Sequence, residues 1–237
     1  MNNSFTALTT YFLQEGRESL PECLKVAFQA AVQQGVHKLV IFTAYGEGIK
    51  LAIETFCCQE EYAHIKLVAV TFPAGKAFTN PKHEPIDVRI ADDVSALMQS
   101  RGIPLVRAHL PLDPIEPGAA LKTKVGAGFN LIGEALNMFC GSMSLCVQAI
   151  VLACDAGHVE SGEHVIALTS DTAVLAQAAV TTRMLSQLII REILCKPAIL
   201  TIGRKETTPR IEEGAAEETD EAVELEAGVE PKRLSKE

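Results

Sequence analysis

Lys38-Leu39-Val40-Ile41-Phe42-Thr43-Ala44-Tyr45-Gly46-Glu47-Gly48-Ile49 is the stretch that decides the fold. A nearly continuous apolar run, Lys38–Thr43, is the pattern of a strand buried on both faces of a parallel sheet. It passes through a hydroxyl- and glycine-bearing turn into a helical pattern expected from about Glu47 to Cys58. Such a helix aims unpaired backbone N–H groups and the positive end of its dipole at the turn, which suits a phosphate or a carboxylate. Thr43, Tyr45, Gly46, Glu47 and Gly48 are therefore candidate ligand contacts, with Tyr45 either stacking on a flat ring or capping the sheet. A tight strand-to-helix connection without ligand is the plainer alternative. The arrangement is expected to return at residues 165–180: a strand Val165–Leu168, a turn Thr169-Ser170-Asp171-Thr172, and a helix Thr172–Val180. Thr169, Ser170 and Thr172 would then offer donors at a helix start, while Ser170 or Asp171 could be an ordinary N-cap. A fixed Asp171 carboxylate would repel a phosphate unless turned aside.

Working outward, Ala7–Leu13 reads as a first strand and Ser19-Leu20-Pro21-Glu22 as a capping box. A helical stripe through Leu24, Ala27, Phe28, Ala31 and Val32 stops at Gly35. Ile65–Thr71 is a third strand, Asp87–Ser100 a helix and Ile103–Arg107 a fourth strand. Alternating strands and helices predict an α/β fold with a three-layer, doubly wound, mostly parallel sheet. Phe72–Pro85 is a loop long enough to be a functional flap, and Pro111, Pro114 and Pro117 keep Leu110–Gly118 extended. Two apolar helices come next, meeting near Gly141-Ser142, the second closed by Asp155-Ala156-Gly157. Gln187–Leu194 is a final strand. One domain over residues 1–204 and an acidic, disordered tail over 205–237 are expected.

The chain has 237 residues and a net charge of −9. The last 33 residues hold 11 acidic and 5 basic groups, while the body carries only −3. A body with no basic stripe argues against nucleic acid as partner. Seven cysteines, with Cys57 and Cys58 adjacent and no metal-type spacing, read as reduced thiols of a cytoplasmic protein. No export signal is seen at the amino terminus. The apolar stretch Leu131–Cys154 is interrupted by Glu134, Asn137 and Gln148, so no membrane span is expected. His109, four residues before Asp113, could act as a general acid or base, although no nucleophile or metal partner accompanies it. Arg191-Glu192 reads as a surface or interface ion pair.

From about Tyr11 to Pro197 the chain resembles stand-alone relatives of the pyruvate kinase C-terminal α/β domain. The likeness is carried by Tyr45-Gly46-Glu47, Val70-Thr71 with Gly75, His109, Phe139–Cys146 and Val147–Gly157. It continues through Asp171-Thr172-Ala173, Ile190-Arg191-Glu192-Ile193 and Lys196-Pro197. It implies a three-layer fold and, as in some members, flavin mononucleotide (FMN) held at the strand ends, with Thr71 added to the ligand contacts. Pyruvate kinase activity is not expected, because the catalytic barrel has no counterpart in the likeness. Two departures stand out. Relatives carry a glycine-rich turn before Asp-Thr-Ala where this chain has only Thr169-Ser170, and they commonly place a Thr at the position of Gly48. The expected function is binding of a phosphorylated small molecule at the carboxyl edge of the sheet. The alternative is an oligomerising structural or regulatory module, with a homo-oligomer as its product.

Overall fold

The computed structural model describes residue 4 and residues 6–79, 84–113 and 127–198, with side chains of the last segment described from 131 onward. In chain order the elements are β1 (Thr10–Phe12), α1 (Leu20–Gln34), β2 (Lys38–Phe42), α2 (Glu47–Thr55) and β3 (Lys66–Thr71). There follow β4 (Ala77–Thr79), β5 (Pro85–Asp87), α3 (Asp92–Ser100), β6 (Leu105–Arg107) and α4 (Ala127–Asn137). The last are α5 (Met143–Asp155), β7 (His164–Leu168), β8 (Ala173–Gln177), α6 (Met184–Gln187) and β9 (Ile189–Pro197). The tail expected at 205–237 lies outside the described residues, as does residue 114 onward of the Pro-rich segment.

Seven of these strands form one sheet in the order β1-β9-β8-β7-β2-β3-β6, and of the seven only β8 runs against the others. Alternate strand residues point to opposite faces, and each face has its own core. Leu39 and Ile41 of β2, Leu67 and Ala69 of β3, and Ile166 and Leu168 of β7 pack with α1, α2 and α3. Val40 and Phe42, Val68 and Val70, and Val165 and Ala167 pack against α5. The result is an α/β fold with helices on both faces of a mostly parallel, mixed sheet.

The expected boundaries hold to within one residue for β2 and β3, and α1 closes on left-handed Gly35 at φ 65° as expected. Elsewhere the structure departs from expectation. The capping box does not form: Ser19 is already helical, and its hydroxyl donates to the Gln14 carbonyl at 3.4 Å. A 3-10 turn at Arg17–Ser19 precedes α1 and removes the extended backbone that a capping Ser needs. The helix α2 stops at Thr55 and α3 starts at Asp92. The segment expected to be a loop carries the strand β4, paired antiparallel to β5.

The largest correction concerns residues 172–180. Ala173–Gln177 is the antiparallel strand β8, paired with β7 and β9, and not a helix. Alanine favours helix, but Ala173 and Leu175 are buried in one core and Val174 and Ala176 in the other. A strand between two neighbours, with helices above and below, satisfies both burials at once. Local propensity yields to that.

Candidate functional site

The chain passes from β2 to β3 and on to β6, then returns to the opposite flank of β2 as β7. Strand order therefore reverses between β2 and β7, and open α/β sheets bind ligands in the crevice beyond such a reversal. A cleft of about 230 Å³ lies there. Thr43, Glu47 and Gly48 from the first turn and Thr169 and Ser170 from the second line it together. The two candidate turns thus face one space.

They differ in what they offer. In the first turn Thr43 Oγ1 accepts the Gly46 N–H at 2.9 Å, and Gly46 takes φ 100° to start α2. A Cβ at Gly46 would sit 2.9 Å from Val94 Cγ1, so the turn is pressed against α3. The first amides of α2 are then presented to the cleft without intrahelical acceptors.

The second turn is a hairpin between β7 and β8, closed by the Thr169 N–H donating to the Thr172 carbonyl at 2.9 Å. No helix begins at Thr172, so the second dipole expected there does not exist. Asp171 does not line the cleft and gathers four donors. They are the Gly16 N–H at 2.8 Å, Ser142 Oγ at 2.9 Å, Thr172 Oγ1 at 3.1 Å and Thr169 Oγ1 at 3.4 Å. A buried carboxylate needs such partners, and here the result is that Thr169 and Thr172 hydroxyls serve Asp171 first. Ser170 remains half-buried in the cleft lining.

A second helix start is nevertheless present. Ser142 lines the cleft immediately before α5, whose thirteen residues make it the longest described helix after α1. Arg17 lines the mouth and pairs with Glu47 at 2.9 Å. Both side chains of that pair are substantially exposed, so it contributes little to stability. Arg17 also covers the Tyr45 ring at 5.0 Å, and Tyr45 is not among the cleft-lining residues. The aromatic lining comes instead from Phe42, Phe72 and Phe78.

Other candidates fall elsewhere. Thr71 ends β3 fully buried, its hydroxyl without a hydrogen-bond partner among the described residues, yet it does not line the cleft. His109 is exposed, and its Nε2 lies 3.2 Å from the Asp113 backbone carbonyl and not from its carboxylate. That contact does not make an acid–base couple. Arg191 donates to Gln177 and Glu192 accepts from Gln34, because adjacent strand residues face opposite ways. Asp155 accepts the Thr181 N–H at 3.0 Å, tying the end of α5 to the turn after β8. Among the described residues no group of three or more His, Cys, Asp or Glu could hold a metal. Nor is any described helix long and apolar enough to cross a membrane.

Sequence reasoning missed Arg17, Ser142 and the three phenylalanines. Ser142 had a local signal, a Ser after Gly141 at the head of an apolar helix. Arg17 had none, since it reaches the cleft through the Gly16–Asp171 bond between segments 155 residues apart.

A larger recess, about 520 Å³, lies at the opposite edge of the sheet, with Lys38, Lys66, Arg101 and His158 in its lining. It sits by the amino ends of β2 and β3 and the residues just beyond α3 and α5. Helices present their negative ends there, and Lys38 is bonded to Glu163 at 2.8 Å. No family model matches the chain.

Proposed function

We propose that this protein binds a phosphate-bearing small molecule in the cleft at the carboxyl edge of its sheet. The observation that carries the reading is the convergence on one cleft of the α2 start, the Ser142 start of α5, the Ser170 turn and Arg17. Each feature alone is common. Together they give backbone donors, a hydroxyl and a cation around a concave space at a strand-order reversal. The absence of Asp171 from the cleft lining fits the same reading, because this buried carboxylate is already matched by donors of its own. The likeness to pyruvate kinase C-terminal domain relatives adds FMN as a specific candidate. The shortened second turn, stripped of glycines, weighs against that candidate.

Equilibrium dialysis of the full chain against inorganic phosphate, sugar phosphates and FMN tests the reading. Uptake of a phosphorylated compound at micromolar to millimolar concentration is expected, weakened several-fold in Arg17→Gln. No uptake of any of them at millimolar ligand rejects it.

A further inference from the structure

We propose that the cleft is shaped for a single aromatic ring beside the phosphate, so that its ligand is a monocyclic aryl or heteroaryl phosphate. This rests on the anion-binding reading above and narrows it. Three phenylalanines from separate elements meet along the cleft: Phe42 ends β2, Phe72 comes directly after β3 and Phe78 lies on β4. Phe42 and Phe72 meet edge to face, centroids 4.9 Å apart at 86°, and Phe72 meets Phe78 likewise at 5.2 Å and 88°. Edge-to-face geometry is how aromatic groups pack favourably, and a ligand ring can extend the same array.

Phe42 and Phe72 are buried, whereas Phe78 is 38 % exposed and leaves ring surface available. Leu20 and Leu145 supply further apolar lining; the polar part is Thr43, Gly48 and Ser170, with Ser142 and Thr169, whose hydroxyls serve Asp171, and the paired Arg17 and Glu47. Lys76 Nζ stands 5.9 Å from the Phe72 centroid. Lys76 is not among the cleft-lining residues, so its contact is with the Phe72 ring alone. Tyr45 cannot serve the ring, because the Arg17 guanidinium already lies over it.

Volume sets the limit of one ring. An apolar cavity of about 150 Å³ accepts one benzene, and a water molecule takes about 30 Å³. The 230 Å³ of this cleft therefore holds one ring and a remainder equal to two or three waters, about the space of a phosphoryl group. Pockets for larger ligands run from about 300 Å³ upward. A three-ring isoalloxazine carrying a ribityl phosphate exceeds that volume and would have to extend out of the cleft into solvent.

Calorimetric titration of the full chain with inorganic phosphate, phenyl phosphate and FMN decides the matter. Phenyl phosphate should bind at least about tenfold tighter than either competitor. Phe78→Ala should weaken phenyl phosphate about fivefold while changing inorganic phosphate binding by less than about twofold in protein verified as folded, and Phe78→Leu should fall between. Equal affinity for phenyl phosphate and inorganic phosphate overturns the ring subsite but leaves the anion site standing. FMN binding as tightly as phenyl phosphate overturns the one-ring limit. Should none of the three bind, this inference fails, and the anion-binding reading fails with it where sugar phosphates are not taken up either.

Discussion

The turns after β2 and after β7 face the same cleft with similar residue types, and they use their polar groups in opposite ways. After β2, Thr43 bonds within its own turn and the backbone enters a helix, so donors are left facing outward. After β7, Asp171 draws hydroxyls and a backbone amide inward from three segments of the chain. One turn is a presenting surface and the other a knot. The difference teaches that a helix start shows donors to a ligand only where no nearby acceptor has already claimed them.

The comparison breaks most visibly at Asp171. Asp171→Ala leaves the Gly16 amide and three hydroxyls without their shared acceptor, and should cost about 3 kcal/mol. Asp171→Asn, which keeps one acceptor oxygen, should cost about half of that. Urea unfolding of both variants is the check, and a loss below about 1 kcal/mol for the alanine variant would show that the knot holds nothing together.

Next in size is the first turn. Gly46→Ala meets both a left-handed backbone at φ 100° and a contact of 2.9 Å with Val94, and should cost about 2 kcal/mol. Gly48→Ala, two residues on, has ordinary backbone and a milder 3.2 Å approach to Ile41 Cγ2. There the better helix propensity of Ala offsets the crowding, for a change within about 1 kcal/mol. Thermal melts of the pair sharpen the contrast, and equal losses would contradict the geometry described for Gly46.

The smallest effect concerns thiols, which back the second turn and not the first. Cys23 donates to the Thr169 carbonyl and Cys146 to the Thr172 carbonyl. The hydrogen bond with Cys195, reinforced by burial, pushes the Cys23 thiol well above its ordinary range, and burial does the same to Cys146. Burial also pushes Cys154 up to about 11. Because the folded state holds these protons more tightly than the unfolded chain, the stability involved is fully present below about pH 9. It is lost as pH rises through the folded values. Urea midpoints at pH 7.5, 9 and 10.5 should fall only in the last interval, and by less in Cys146→Ala than in the parent. The same fall in parent and variant would detach the thiol from the effect.

The central strands and α1 were legible because their signals are local. The run Leu39–Phe42 is apolar on both faces, and Gly35 marks the end of α1 in its own backbone. The carboxyl-edge turn after β2 was legible for the same reason. The strand β8 was not, because Ala173, Ala176 and their neighbours satisfy a helix locally, and only burial in two cores at once forces extension. The site was half visible. Thr43, Gly48, Thr169 and Ser170 are marked by their position just beyond the end of a strand, whereas Arg17 and Phe78 arrive through contacts that no local window contains. The Tyr45 ring looks free in its own segment, but a cation from another segment occupies its face.

The edge strand β1 has its sheet partner in β9, Thr10 lying opposite Cys195 and Phe12 opposite Pro197. During synthesis from the amino terminus, β1 emerges long before β9 and must wait for most of the residues between them before its neighbour exists. The segment holding Gly16 and Arg17 comes soon after that strand and is under the same delay. Cleft assembly is therefore a late event in biogenesis, separate from consolidation of the central strands. A nascent chain halted before residue 189 would carry a folded middle and an unfinished mouth.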